Sequence, residues 1–346
     1  MNSLLSILLI SLGGASAASF YVPIKKVRDW SWETYWIVQG AISWIIAPWV
    51  FALCTVPSLL EVLRNSPQEA VLNTFMFGAL WGVGGLGFGL SMRFLGVALG
   101  QSIALGFTAA LGTLIPPFVA GQDLFGSRDG ILMLIGVAIC VAGIAIVGYA
   151  GTLRSQHMAE EDRRKAIKDF ALRKGILIAV LSGIMSACMN YGINGLPGFL
   201  DAGNVIQKVA AEHGTDALFV TNPVYIPLML GGFFTNFIYT MYLNWKNKSF
   251  KEYVSLPRNL LLSNLAFSAL GGTLWFLQYF FLGIGQSKLP GGMLVFGWSI
   301  LMASSILFSN VWGILLHEWK GSGRKTITVL LVGLILLVLS CFVIRL

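Results

Sequence analysis

The sequence predicts an all-α integral membrane protein with ten transmembrane helices arranged as two inverted five-helix repeats. Three observations lead there. Hydrophobic residues make up 56% of the 346 positions and charged residues 11%, with a mean hydropathy of +0.77, far from the mix of a soluble domain. The charges gather into short islands between apolar stretches of about 20 residues, the length that crosses a bilayer at roughly 1.5 Å per residue. Eighteen of the 23 Lys and Arg fall in the loops that follow the odd-numbered stretches, which places those loops in the cytoplasm and both termini outside. The net charge of +8 is therefore read as a topology signal, not as a nucleic-acid surface.

The expected spans are residues 3–24, 33–55, 70–92, 97–119, 131–152, 174–195, 222–244, 259–284, 291–316 and 325–345. The first ends in an Ala-Ser-Ala-Ala run that resembles a signal-peptidase site. A secretory signal carries positive charge ahead of its apolar run, whereas here Lys25, Lys26 and Arg28 follow it, so the stretch is expected to stay as a helix. Lys25, Lys26 and Arg93 read as topology anchors. The cysteines Cys54, Cys140, Cys188 and Cys341 lie within or at the ends of spans, where they pack as small apolar groups.

Residues 153–173 form the longest basic connector and divide the chain into halves, 1–152 and 174–346. Five spans is an odd number, so the halves must lie upside down relative to each other. Weak self-similarity supports the division: "FGALWG" at 77–82 matches "FSALGG" at 267–272, and "FLGVALGQS" is followed in the second half by "FLGIGQS". Such an arrangement provides two nearly equivalent conformations around a midplane site and favours a carrier.

Span 3 carries glycines at 78, 82, 84, 85, 87 and 89. Small residues at i and i+4, as in Gly78 and Gly82 or Gly85 and Gly89, let backbones approach closely. "GVGGLG" lies inside an apolar helix with no strand before it, which argues against a dinucleotide loop. In span 6, Ser182, Ser186, Asn190 and Asn194 recur at i+4 and form a polar stripe that must face protein or a wet cavity. Helix-helix hydrogen bonding and ligand binding explain it equally well. Span 8 puts Trp275, Gln278 and Tyr279 at i, i+3 and i+4, on one face. An indole beside an amide suits a sugar, whose C–H face stacks while its hydroxyls pair with the amide; an aromatic belt at the membrane surface would place Trp275 near the end of the span instead. Tyr21, Trp81, Gln101, Asn222, Tyr225 and Asn236 are further candidate groups of the wall.

All fifteen Asp and Glu fall in loops or at span ends, with Glu33, Glu69 and Glu318 nearest the interior. A pocket of neutral groups suits a neutral, hydroxyl-rich solute. Glu33 is the candidate proton-coupling residue. The three histidines, His157, His213 and His317, lie in or beside loops, and no His-Glu-x-x-His pattern or ATP-binding loop occurs, which argues against an intramembrane enzyme or a primary pump. No cofactor and no metal site is expected. Within "DAGNVIQKVAAEHGTDALFVTNP", Val205, Ile206 and Val209 give one apolar helix face.

"GGASAASFYVPIKKVRDWSWETYW", "FGALWGVGGLGFGLSMRFLG", "LGGTLWFLQYFF" and "LHEWKGSGRK" resemble the L-rhamnose/proton symporter family, a branch of the drug/metabolite transporter superfamily. The likeness runs from span 1 to the loop after span 9. It implies ten helices in two inverted halves, a bacterial inner-membrane location and uptake of a deoxyhexose with a proton. The family pattern has a histidine before span 9 and an aspartate early within it, where this chain has Gln286 and Leu294; span 6 also departs from it, at Asn190, Tyr191 and Asn194. These differences bear on proton coupling and sugar choice and leave the fold alone. The leading reading is a secondary transporter for L-rhamnose or a related neutral sugar. In it Trp275 stacks the sugar, Gln278, Asn190 and Asn194 read hydroxyls, and Tyr21, Trp81 and Gln101 complete the wall. The alternatives are an exporter or exchanger of another metabolite on the same fold, or a sensor that binds without flux.

Overall fold

A computed structural model describes residues 2–156, 171–289 and 291–343. Among them are ten helices long and apolar enough to cross a membrane: α1 (Leu4–Ile24), α2 (Trp32–Thr55), α3 (Gln68–Leu95), α4 (Ala98–Val119), α5 (Arg128–Gln156), α6 (Leu172–Asn194), α7 (Asn222–Asn247), α8 (Arg258–Gln286), α9 (Met293–Leu315) and α10 (Gly323–Phe342). Each bound falls within four residues of its expected place. The connector is narrower than expected, because α5 runs on to Gln156 and α6 begins at Leu172; residues 157–170, His157 among them, lie outside the described residues. One end of the bundle carries the loops after odd-numbered helices and is called the odd end. The other, even end carries two short helices, Leu59–Asn65 and Gly203–Glu212. The second buries Ile206 and Val209, as its apolar face demands.

Helix boundaries follow local chemistry. Pro67 and Pro257, both extended at ψ 131° and 139°, precede the first residues of α3 and α8, a position where the missing N–H costs nothing. They are 190 residues apart, the same offset as Phe77 and Phe267 in the matching hexapeptides. Gly96 (φ 83°) ends α3 and Gly195 (φ 68°) ends α6 in backbone regions open to glycine. Inside α2, residues Ile42–Ile46 form a π-helical turn. Pro48 lies just beyond it, and with no N–H it cannot bond the Trp44 carbonyl one turn back, so the ladder loosens there and turns Trp44 inward.

The packing pairs exchange with one another when α1–α5 are swapped for α6–α10. α3 packs on α6 and α7, and α8 packs on α1 and α2; α4 packs on α6, and α9 on α1; α5 pairs with α10, α4 with α9 and α2 with α7. This pairing is compatible with two inverted five-helix halves. Glycine sets the closeness. A Cβ on Gly78 would overlap the Leu228 carbonyl, one on Gly82 the Thr235 hydroxyl, and one on Gly84 would come within 2.7 Å of the Ser186 backbone. Gly85 and Gly89, the other expected packing pair, meet nothing within 4 Å: that face of α3 does not touch a neighbouring helix.

Candidate functional site

Trp44 is the hub of an aromatic cluster where four helices meet. Its ring centroid lies 5.7 Å from Trp36 of the same helix, 6.0 Å from Trp81 of α3 and 5.7 Å from Trp275 of α8, edge-on in each case. Trp81 and Trp275 are 5.6 Å apart, and Trp275 is 5.1 Å from Tyr279. Small residues make the room. A Cβ on Gly40 would meet the Trp44 ring at 2.5 Å, and one on Gly232 of α7 would overlap Trp81. The Trp36 indole donates to Asn236 Oδ1 of α7 at 3.0 Å, and Asn236 Nδ2 donates to the Gly232 carbonyl at 2.9 Å.

Hydrogen-bonding capacity in the adjoining seam between α2 and α8 exceeds what the protein itself uses. Among the described residues five buried side-chain polar atoms have no partner, and four of them lie on these two helices: Tyr35 Oη, Gln39 Oε1, Trp44 Nε1 and Ser268 Oγ. The residues are 5%, 1%, 2% and 0% exposed. A Cβ on Gly271 would stand 3.4 Å from Tyr35 Oη, and one on Gly272 would stand 2.8 Å from the Gln39 carbonyl. Tyr35 and Gln39 therefore face the α8 stretch between Ser268 and Trp275. Gln39 Nε2 donates to Ser43 Oγ at 3.2 Å, which leaves its oxygen free. Each such orphan costs about 1–3 kcal/mol. The repeat-related seam between α3 and α7 carries none among the described residues, although its contacts are as close.

The structure brings some of the expected residues together and separates others. Trp81, Trp275 and Tyr279 share the cluster. Gln278 is buried beside it and donates to the Trp275 carbonyl at 2.7 Å; Tyr225 donates to the Tyr279 carbonyl at 2.6 Å. Asn190 and Asn194 lie elsewhere. Asn190 Nδ2 donates to the Gly112 carbonyl of α4 at 2.6 Å, Asn194 Nδ2 to Asn190 Oδ1 at 2.7 Å, and Ser182 to the Gly84 carbonyl at 2.7 Å. The polar stripe of α6 thus joins helices to one another, and Asn194 also lines a hollow of about 380 Å³ at the even end. Tyr21 is 56% exposed, its ring tilted against that of Phe20. Gln101 lines a larger hollow near the odd end. Asn222 donates to Thr55 at 2.7 Å, and Gln286 donates to the Leu294 carbonyl at 3.0 Å.

Glu33, in the first turn of α2, is the buried acid of the described residues, 5% exposed. Its Oε1 accepts from Asn247 Nδ2 at 2.8 Å and from Ser249 Oγ at 2.9 Å. The carboxylate thereby ties the start of α2 to the end of α7 and the loop after it. Glu252 of that loop accepts from the Ser31 N–H at 2.7 Å and its hydroxyl at 2.8 Å, capping α2.

Sequence reasoning missed Tyr35, Trp36, Gln39, Ser43, Trp44 and Ser268. A usable signal was present in Trp36, Gly40 and Trp44 at i, i+4 and i+8, two rings flanking a residue with no side chain.

Comparison with known proteins places the chain. The family described as L-rhamnose-proton symport protein (RhaT) matches residues 1–346. A protein of Cronobacter sakazakii named L-rhamnose-proton symporter is 38% identical over 339 residues, 97% of this chain and 95% of that one. Proteins of the same name from Mannheimia succiniciproducens and Klebsiella pneumoniae are also 38% identical, with the same coverage.

Proposed function

The chain belongs to the L-rhamnose-proton symport protein family, and from that premise we propose that it carries L-rhamnose, or a closely related neutral monosaccharide, across the bacterial inner membrane together with a proton. It is a multi-pass membrane transporter and not an enzyme.

The observation that carries the site assignment is the α2–α8 seam. A pyranose supplies what its orphaned atoms lack: hydroxyl donors for Gln39 Oε1, acceptors for Trp44 Nε1, and either for Tyr35 and Ser268. The rings of Trp81, Trp275 and Tyr279 give its C–H faces an apolar wall. The first half contributes α2 and α3 to this site and the second half α7 and α8, so a sugar held there touches both. Movement of one inverted half against the other then exposes the site to each side in turn. Gln278 holds the turn of α8 that carries Trp275. Asn190 and Asn194 act in this reading as helix ties, and Tyr21 lies at the rim.

Glu33 is our candidate for the coupling proton. Protonation removes charge from an oxygen that holds Asn247 and Ser249, which loosens α2 from the end of α7 and the loop after it. With the odd end in the cytoplasm, as the Lys and Arg distribution directs, this release occurs on the inner side. Each proton entering down the membrane potential supplies about 2.3 kcal/mol per 100 mV.

Proteoliposomes containing the purified protein test the reading. Radiolabelled L-rhamnose should accumulate when the outside is made acidic, and a protonophore should abolish the accumulation. Absence of L-rhamnose movement in either direction, with or without the gradient, would overturn it.

A further inference from the structure

The hollow that takes in Gln101 is distinct from the tryptophan cluster. It has a volume of about 700 Å³ and is bounded by α4, α5, α9 and the turn after α9. That turn folds back on its own helix. His317 (φ 59°) and Gly321 (φ 84°) reverse the chain, and the Glu318 N–H donates to the Gly313 carbonyl at 2.8 Å. A Cβ on Gly313 would stand 2.9 Å from the Trp319 indole nitrogen, so glycine is what lets Trp319 lie against α9. Glu318, from the second half, bridges two cations of the first: Lys25 Nζ at 3.3 Å and Arg154 at 3.9 Å. The Arg154 guanidinium also sits 5.2 Å from the centre of the Trp319 ring.

A carboxylate, a guanidinium, an indole and the amides of Gln101 and Asn310 therefore line one hollow. An anion entering it would meet Glu318, and a cation would meet Arg154. A neutral polyol meets neither penalty. Its hydroxyls can donate to the carboxylate and accept from the guanidinium and the amides, while its C–H face rests on the indole. The volume is that of a small-molecule site, ample for one monosaccharide. We propose that this hollow is a second monosaccharide site, near the odd end, whose wall includes the folded-back turn bearing Glu318 and Trp319. The proposal rests on the sugar-carrier reading above.

Equilibrium dialysis of radiolabelled L-rhamnose against the purified full-length protein counts the sites. The wild type should bind two sugars per chain. Gln101→Leu and Asn310→Leu should each bind one, and Trp275→Ala should bind one. A single sugar in the wild type, lost in Trp275→Ala and kept in Gln101→Leu and Asn310→Leu, overturns the second site and leaves the carrier reading standing. So do two sugars that neither hollow variant reduces. A single sugar lost only in the two hollow variants assigns binding to this hollow and overturns the tryptophan site instead. No sugar bound at all overturns both readings. Melting curves of each variant separate lost binding from lost folding, and agreement between Gln101→Leu and Asn310→Leu guards against a defect peculiar to one of them.

Discussion

Glu33 offers a clean separation of sugar movement from proton movement. Glu33→Gln keeps an acceptor oxygen for Asn247 and Ser249 but removes the titratable group. Exchange of labelled for unlabelled L-rhamnose across proteoliposomes should continue in this variant, while accumulation driven by a pH gradient disappears. Accumulation equal to wild type would exclude Glu33 as the coupling group. Trp44 gives the second test at this scale. Its indole N–H is buried without a partner, so Trp44→Phe relieves a penalty of about 1–3 kcal/mol in the sugar-free protein and removes a donor from the bound one. The expected result is an unchanged or raised melting temperature together with weaker sugar binding, both read in one thermal-shift titration. Trp275 and Tyr279 were legible because their spacing puts two aromatic rings on one helical face. Gln39 and Tyr35 were not, because nothing in "SWETYWIVQGAISW" distinguishes a group that lacks a partner from one that has found it.

At the level of the helix, glycine decides which surfaces meet. Gly82→Leu drives a side chain into Thr235 and Asn236 of α7, and overpacking of this kind costs about 1–3 kcal/mol or more. The variant should melt well below wild type in detergent. Gly85→Ala, on the open face, should melt within a degree or two of wild type or slightly above, since alanine is the better helix former by about 1 kcal/mol. Equal melting of the two variants would contradict the assigned faces. The glycine run announced close packing, but a list of glycines does not say which of two i,i+4 pairs meets a neighbour; that depends on helix rotation. The polar stripe of α6 was ambiguous for the same reason, and the structure turns it toward the α4 backbone through Asn190 and Gly112. Helix ends were legible, to within four residues, from the charge islands that bound the apolar stretches. The π turn at Ile42–Ile46 was not, although Pro48 is its visible cause.

Over the whole molecule, the ten spans and their order could be read from hydropathy alone, because each must bury its own backbone polar groups in lipid. The exchange of packing partners between the first five helices and the last five is compatible with the repeat that the short sequence matches at 77–82 and 267–272 suggest. Polar ties close both ends of it: Glu33 with Asn247 and Ser249 at the odd end, and Asn65 with His213 at 2.9 Å at the even end. Sidedness has its own check. A cysteine introduced at Lys248, in the loop after α7 of a chain whose four native cysteines are replaced by alanine, should react with an impermeant thiol reagent only in inside-out vesicles; labelling in right-side-out cells would reverse the assigned orientation. The central claim, that a sugar sits between the halves in the α2–α8 seam, is tested most directly by ligand protection of Ser268→Cys in a chain whose four native cysteines are replaced by alanine. Saturating L-rhamnose, at about ten times its dissociation constant, should slow alkylation of this thiol by about tenfold, since only the empty fraction reacts. An alkylation rate unchanged by the sugar, in a protein that still transports it, would contradict the account.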